Sequence, residues 1–77
     1  KMVIIEMVKV NLQEKAILKE LSVRIKQCRI ASGITQEELA ERSLVSVSTI
    51  RRFEGGYDIS LSKLICLLKA LGLDNNL

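Results

Sequence analysis

Apolar residues recur at helical spacing along most of this chain and divide it into four segments. Ile17, Leu21, Ile25 and Cys28 step by four, four and three residues, the period of a stripe buried along one side of a helix. Asn11, with Glu14 three residues on, supplies a start signal, so the spacing predicts a long helix from Leu12 to about Ala31. Glu20 and Arg24 are placed to pair on its outer side. Gly33 ends it and suits the left-handed position beyond a helix C-terminus. Two short patterns follow. In Gln36–Ser43, Leu39 and Ala40 share a face, and Thr35 with Glu38 forms a capping box. From about Val47 to Glu54, Ile50 and Phe53 lie three apart on the inner face, with Ser46 as the N-cap. A fourth pattern opens at Ser60 and carries a wide apolar face of Leu61, Leu64, Ile65, Leu68 and Leu71 before Gly72 stops it. Asp74 is placed to cap a fifth helix. Ending at Leu77, just there, suggests either missing residues or a short terminal helix that needs a partner.

Residues 1–10, KMVIIEMVKV, keep neither period cleanly. Their β-branched residues favour a strand, and an isolated strand has open edges that call for a partner. The favoured reading is therefore an arm that pairs with its copy in a second subunit, ahead of a domain spanning 11–77. The other reading is an extension of the following helix. The chain opens on Lys rather than Met, which suggests a cut or engineered end.

At 77 residues the chain supports a single domain. Domains near this size bury only about 60% of the surface that the unfolded chain exposes, so stability is marginal and a partner often helps. A hydrophobic share of 48% without any proline favours a compact all-helical fold over disorder. One Tyr, one Phe and no Trp make the core aliphatic.

The same composition removes most catalysis. There is no His, which excludes Ser-His-Asp and Cys-His arrangements and the commonest general base. Glu37, Glu38 and Glu41 fall on an exposed helix face rather than forming a pair. Cys28 and Cys66 lack the further ligands that zinc requires. Both sit where the helical period places apolar residues, so they read as small buried hydrophobes, with a disulfide as the lesser alternative. No enzyme activity, metal or cofactor is expected. The stretch from Met2 to Met7 is short, is followed by Lys9 and has no small-residue cleavage site, so no secretory signal is read. No run is long enough to span a bilayer. A cytoplasmic protein is the expectation. A net charge of +3 is mild, and it matters because Arg51 and Arg52 sit together on the third segment.

Helices as short as the second and third cannot stand alone in water. They must pack on each other and on a third element, which fixes the exposed face of the later one. That arrangement is a helix-turn-helix, whose usual role is to hold one short helix rigidly enough to enter a DNA major groove. Residues Arg24 to Leu73 resemble the lambda-repressor-like (Xre) helix-turn-helix family. The resemblance is carried by Arg24-Ile25-Lys26, Arg29, the run Gly33 to Ala40 (GITQEELA), Val45-Ser46, Ser48-Thr49-Ile50, Phe53-Glu54-Gly55 and Ala70-Leu71-Gly72. It implies an all-α, compact domain of four to five helices, here with a long first helix and an N-terminal extension, since the family's first helix usually begins near Leu18. One position departs from the family. The turn normally holds a left-handed Gly, and here it is Leu44. A leucine there costs roughly 1–2 kcal/mol, or the turn differs locally.

Carried over residue by residue, the resemblance implies base reading by Val47, Ser48 and Arg52. Arg52 suits the bidentate contact to guanine O6 and N7, and Val47 a thymine methyl. Ser48 and Thr49 suit bases or phosphates. Gln36, at a helix N-terminus, is the family's phosphate contact. Arg51 reads as a backbone clamp, and Gly55-Gly56 as a place where main-chain N–H groups approach the next phosphate. Each is weighed against an ordinary solvated helix residue. Arg29 and Glu54 are implied to form a buried ion pair with a structural role.

One recognition helix reads only a few base pairs, so the expected protein is a homodimer on double-stranded DNA. It would be a sequence-specific regulator, read as a repressor of a palindromic operator with its two helices roughly 34 Å apart. Its dimer surface is expected from the N-terminal arm and helix, the C-terminal end, or both. The alternative is an antitoxin that neutralises a partner toxin and autoregulates its operon.

Overall fold

The computed structural model describes residues 4–74, with side chains from residue 13 onward. Among the described residues it has four helices and no strand: α1 (Ile4–Ala31), α2 (Gln36–Ser43), α3 (Val47–Glu54) and α4 (Leu61–Ala70). The fifth helix expected from Asp74 lies outside the described residues.

α1 is longer than its capping signals predict. Its helix runs unbroken through Ile4–Val10 and past Asn11, so the helical extension describes this segment and the strand does not. The physical reason is local. A lone strand leaves its backbone donors and acceptors open, whereas a helix satisfies them within the segment. The inward stripe is also rotated by one residue from the expected one. Leu18 and Leu21 pack against the core, Ser22, Ile25 and Arg29 are buried, and Ile17 is 68% exposed. Gln13 to Ile17 are all exposed, and among the described side chains Leu18 is the first packed on the core. Ser22 is tolerated inside because its hydroxyl donates to the Lys19 carbonyl at 2.8 Å.

The turn after α1 places Gly33 at φ 73°, with the Ile34 N–H donating to the Arg29 carbonyl. α2 then starts on a complete capping box. The Glu38 N–H donates to Thr35 Oγ1 at 3.0 Å, and the Thr35 N–H donates to Glu38 Oε1 at 3.1 Å. Hydrogen bonding to the carboxylate from the Thr35 N–H, and then from its hydroxyl, holds the Glu38 carboxyl below the usual carboxylate range.

α2 packs on both α3 and α4, and α1 packs on α3. Ile25, Ile34, Leu39, Val45, Ile50, Phe53 and Leu67 form the core between them. Only Phe53 among these is aromatic. α4 begins at Ser60, whose Oγ accepts from the Lys63 N–H at 3.3 Å. Its buried face differs from the predicted one. Leu67 is fully buried, flanked by Leu64, Leu68 and Leu71, while Leu61 is 73% exposed and Ile65 lies at the surface. The apolar face of this helix is wide enough to blur its phase, and contact with α2 decides the rotation. That rotation also exposes Cys66. Cys28 is half-buried and both thiols are free, so neither the buried pair nor the disulfide describes them.

Candidate nucleic-acid interface

α2 and α3 are joined by a tight turn in which Leu44 adopts φ 61°, ψ 23°. The left-handed geometry is kept with leucine in place of glycine, and the side chain is 92% exposed. Its N–H donates to the Ala40 carbonyl at 2.9 Å. Two further bonds brace the junction. Ser43 Oγ accepts from the Val45 N–H at 3.2 Å, and Ser46 Oγ accepts from the Thr49 N–H at 3.2 Å. Val45 is buried beneath the turn.

The rotation of α3 follows from its inner face. Ile50 and Phe53 are fully buried, which turns Ser48, Arg51 and Arg52 to the exposed side and leaves Val47 and Thr49 half-buried at the edges. The Thr49 hydroxyl accepts from Ser46 Oγ at 2.8 Å.

Behind α3 lies a charged knot linking three helices. Arg29 Nε donates to Glu54 Oε2 at 2.8 Å, and Nη2 donates to Oε1 at 3.0 Å. A third guanidinium nitrogen, Nη1, donates to the Ile34 carbonyl at 2.9 Å. Gln36 Nε2 donates to Glu54 Oε1 at 3.0 Å. The Arg29 and Glu54 side chains are 11% and 3% exposed. Hydrogen bonding to Glu54 holds the Arg29 pKa above its ordinary value, against the opposing effect of burial. Gln36 thus stands at the first position of α2 with its amide tied inward to the same carboxylate.

The two exposed arginines of α3 are restrained differently. Arg51 Nη2 donates to Glu37 Oε2 at 2.9 Å, and both side chains are more than half exposed. Arg52 lies over Tyr57, its guanidinium carbon 5.8 Å from the ring centroid. Arg52 also borders a cleft with Thr49, Asp58, Ile59, Ser60 and Lys63.

The glycine pair corrects the expectation drawn from it. The Gly55 N–H donates to the Arg51 and Arg52 carbonyls, and the Gly56 N–H donates to the Phe53 carbonyl at 2.9 Å. Closing the C-terminus of α3 uses both donors, so neither is free for a phosphate. Sequence reasoning also passed over Tyr57 and Glu37. Nothing in the local pattern marks Tyr57, which returns to Arg52 only because Gly56 takes φ 97°. Glu37 reads as a solvated helix residue until α2 and α3 are packed together.

The arrangement is a rigidly backed short helix with a polar, cationic outer side, the form of a DNA-binding helix-turn-helix domain. A helix-turn-helix family profile matches residues 25–74, and the chain belongs to this lambda-repressor-like (Xre-type) family of DNA-binding regulatory domains. No curated protein and no solved structure matches the chain. Among the described residues no cluster of candidate metal ligands occurs, and no helix is long and apolar enough to cross a membrane.

Proposed function

We infer that the protein is a sequence-specific transcriptional repressor that works in the cytoplasm as a homodimer on a palindromic operator. The observation that carries this reading is the division of α3. Ile50 and Phe53 are wholly buried, while Ser48, Arg51 and Arg52 stand exposed on the opposite side. With α3 in the major groove, Arg52 takes a guanine edge, Ser48 a base or phosphate, and Val47 a thymine methyl. Gln36 at the start of α2, Thr49 and Arg51 hold the phosphate backbone and fix register. Recovering bound sequences from a random DNA pool tests this. Inverted half-sites with centres about 10 base pairs apart are expected, with affinity that falls steeply with salt. A protein that sediments as a monomer at high concentration and shifts no DNA at low salt would overturn it.

The second reading is an antitoxin that neutralises a toxin and represses its own operon. It draws support from the part of α1 that precedes the family match, where Ile17 is 68% exposed and open to a partner. A toxin-like reading frame beside the gene would favour it.

A further inference from the structure

Arg24, Arg29 and Arg51 each donate to a carboxylate. Arg52 is held in another way. Among the described residues it makes no ion pair, and its guanidinium lies 5.8 Å from the centre of the Tyr57 ring. The difference is chemical. A carboxylate takes up N–H donors, whereas the face of an aromatic ring attracts the cation through its quadrupole and takes none. An arginine held by a ring keeps its full fork of donors for the two acceptors on a guanine edge.

The turn puts the ring in place. The Tyr57 N–H donates to the carbonyl of Arg52 itself at 3.0 Å, and Gly56 at φ 97° bends the chain back to allow it. Burial does not account for the ring, because Tyr57 is 63% exposed and lies outside the core. We propose that Tyr57 is a specificity-determining positioning residue. Its ring face holds the Arg52 guanidinium as a preset probe and sharpens the preference for guanine at the base pair that Arg52 reads. The proposal rests on the reading of Arg52 as a base-reading side chain.

The test uses the full chain and a DNA site recovered by selection, with Kd measured for that site and for versions changed at each base pair. Arg52→Ala should flatten the preference at one base pair. Tyr57→Leu should lower affinity for the preferred base there by about two- to fivefold, the range of an exposed cation–π contact. Its melting temperature should fall by no more than a few degrees, as loss of one exposed contact allows, and its preferences elsewhere should be unchanged. Tyr57→Phe, which keeps the ring, should behave as the parent protein. In the Arg52→Ala background, Tyr57→Leu should have no further effect. Equal weakening of all sequences by Tyr57→Leu, persisting without Arg52, would mean that the tyrosine touches the DNA backbone itself, and would overturn the proposal. So would an unchanged preference in Tyr57→Leu while Arg52→Ala still flattens it. If Arg52→Ala flattens no position, the base-reading assignment fails first and the proposal falls with it.

Discussion

The two sides of α3 carry the same kind of charge contact with opposite consequences. On the inner side Arg29 meets Glu54 at 2.8 Å, and on the outer side Arg51 meets Glu37 at 2.9 Å. Distance does not separate them; solvent does. The inner side chains are 11% and 3% exposed, the outer ones 55% and 62%. Removing one partner of a buried pair strands a charge in low dielectric, whereas an exposed pair is screened by water and salt. The inner pair therefore belongs to the fold. The outer one is a loose tether on a surface proposed to meet DNA.

The hardest test of this contrast is Arg29→Met. It leaves the Glu54 carboxylate and the Ile34 carbonyl without their guanidinium, and a loss of about 3–5 kcal/mol is expected. For a domain of this size each kcal/mol lowers Tm by roughly 4–8 °C, so urea or thermal melting reads the effect directly. Pairing the change with Glu54→Leu should recover much of the loss, because the stranded charge is then gone. A single variant that melts with the parent protein would erase the distinction between the two sides. The Arg29 pKa is raised in the folded state, so its contribution is fully present below the ordinary arginine value and is lost only as pH rises beyond it.

Next in size is Arg52→Ala on the outer side. It should cost about 1–3 kcal/mol of discrimination at one base pair and lower stability by no more than the exposed contact with Tyr57 is worth, at most about 1 kcal/mol, since the side chain is exposed. Binding assays on single-base variants check the first part and calorimetry the second. A larger loss of fold stability here would break the comparison from the other direction.

These two sides were not equally legible in the sequence. The inner side was written in spacing: Ile50 and Phe53 three apart, a Thr35–Glu38 capping box, Ser46 and Ser60 as caps, all of which the structure contains. Short helices with strong caps and few apolar residues have one phase to choose. α4 and the start of α1 have several. The apolar arc of α4 is wide, so burial of Leu67 and exposure of Leu61 follow from packing on α2. Ile17 fits a helical stripe but is 68% exposed, while its neighbour Leu18 packs on the core. The outer side was readable in identity and hidden in geometry. Arg51 and Arg52 are adjacent letters, and only the packing of Glu37 and the return of Tyr57 give them different tethers.

The turn between the two helices offers a smaller test. Leu44 holds a left-handed backbone, and its side chain is 92% exposed. Replacing it with glycine removes the roughly 1–2 kcal/mol of backbone strain and adds back about 0.5–1 kcal/mol of chain entropy. Leu44→Gly should therefore stabilise the protein by up to about 1.5 kcal/mol, seen as a higher urea midpoint with the slope unchanged. A destabilised variant would mean that the exposed leucine makes a contact elsewhere, as in a dimer. A weaker effect again comes from Glu38, whose folded-state pKa is lowered by bonds from Thr35. Its contribution is complete above the ordinary carboxylate value and is lost as pH falls through the lowered one. Glu38→Gln should thus show less loss of stability on acidification than the parent protein.

Glu37→Gln sharpens the comparison most finely, because its predicted cost to the fold is close to zero. The exposed pair that it breaks is worth at most about 1 kcal/mol and commonly nothing measurable, so melting should move by no more than that. Binding should respond in the opposite sense. The Glu37 carboxylate occupies an Arg51 N–H and places a negative charge beside α3. Without it, the Arg51 guanidinium turns wholly to its phosphate and the repulsion of the DNA backbone falls. A full phosphate contact is worth about 0.9 in the slope of log K against log salt, so the slope should steepen by part of that, with the gain in affinity greatest at low salt and fading as salt rises. An unchanged salt slope would mean that Arg51 points away from the phosphates even when untethered. The outer ion pair would then be an ordinary solvated contact, and the backbone clamp would have to be sought in Gln36 and Thr49.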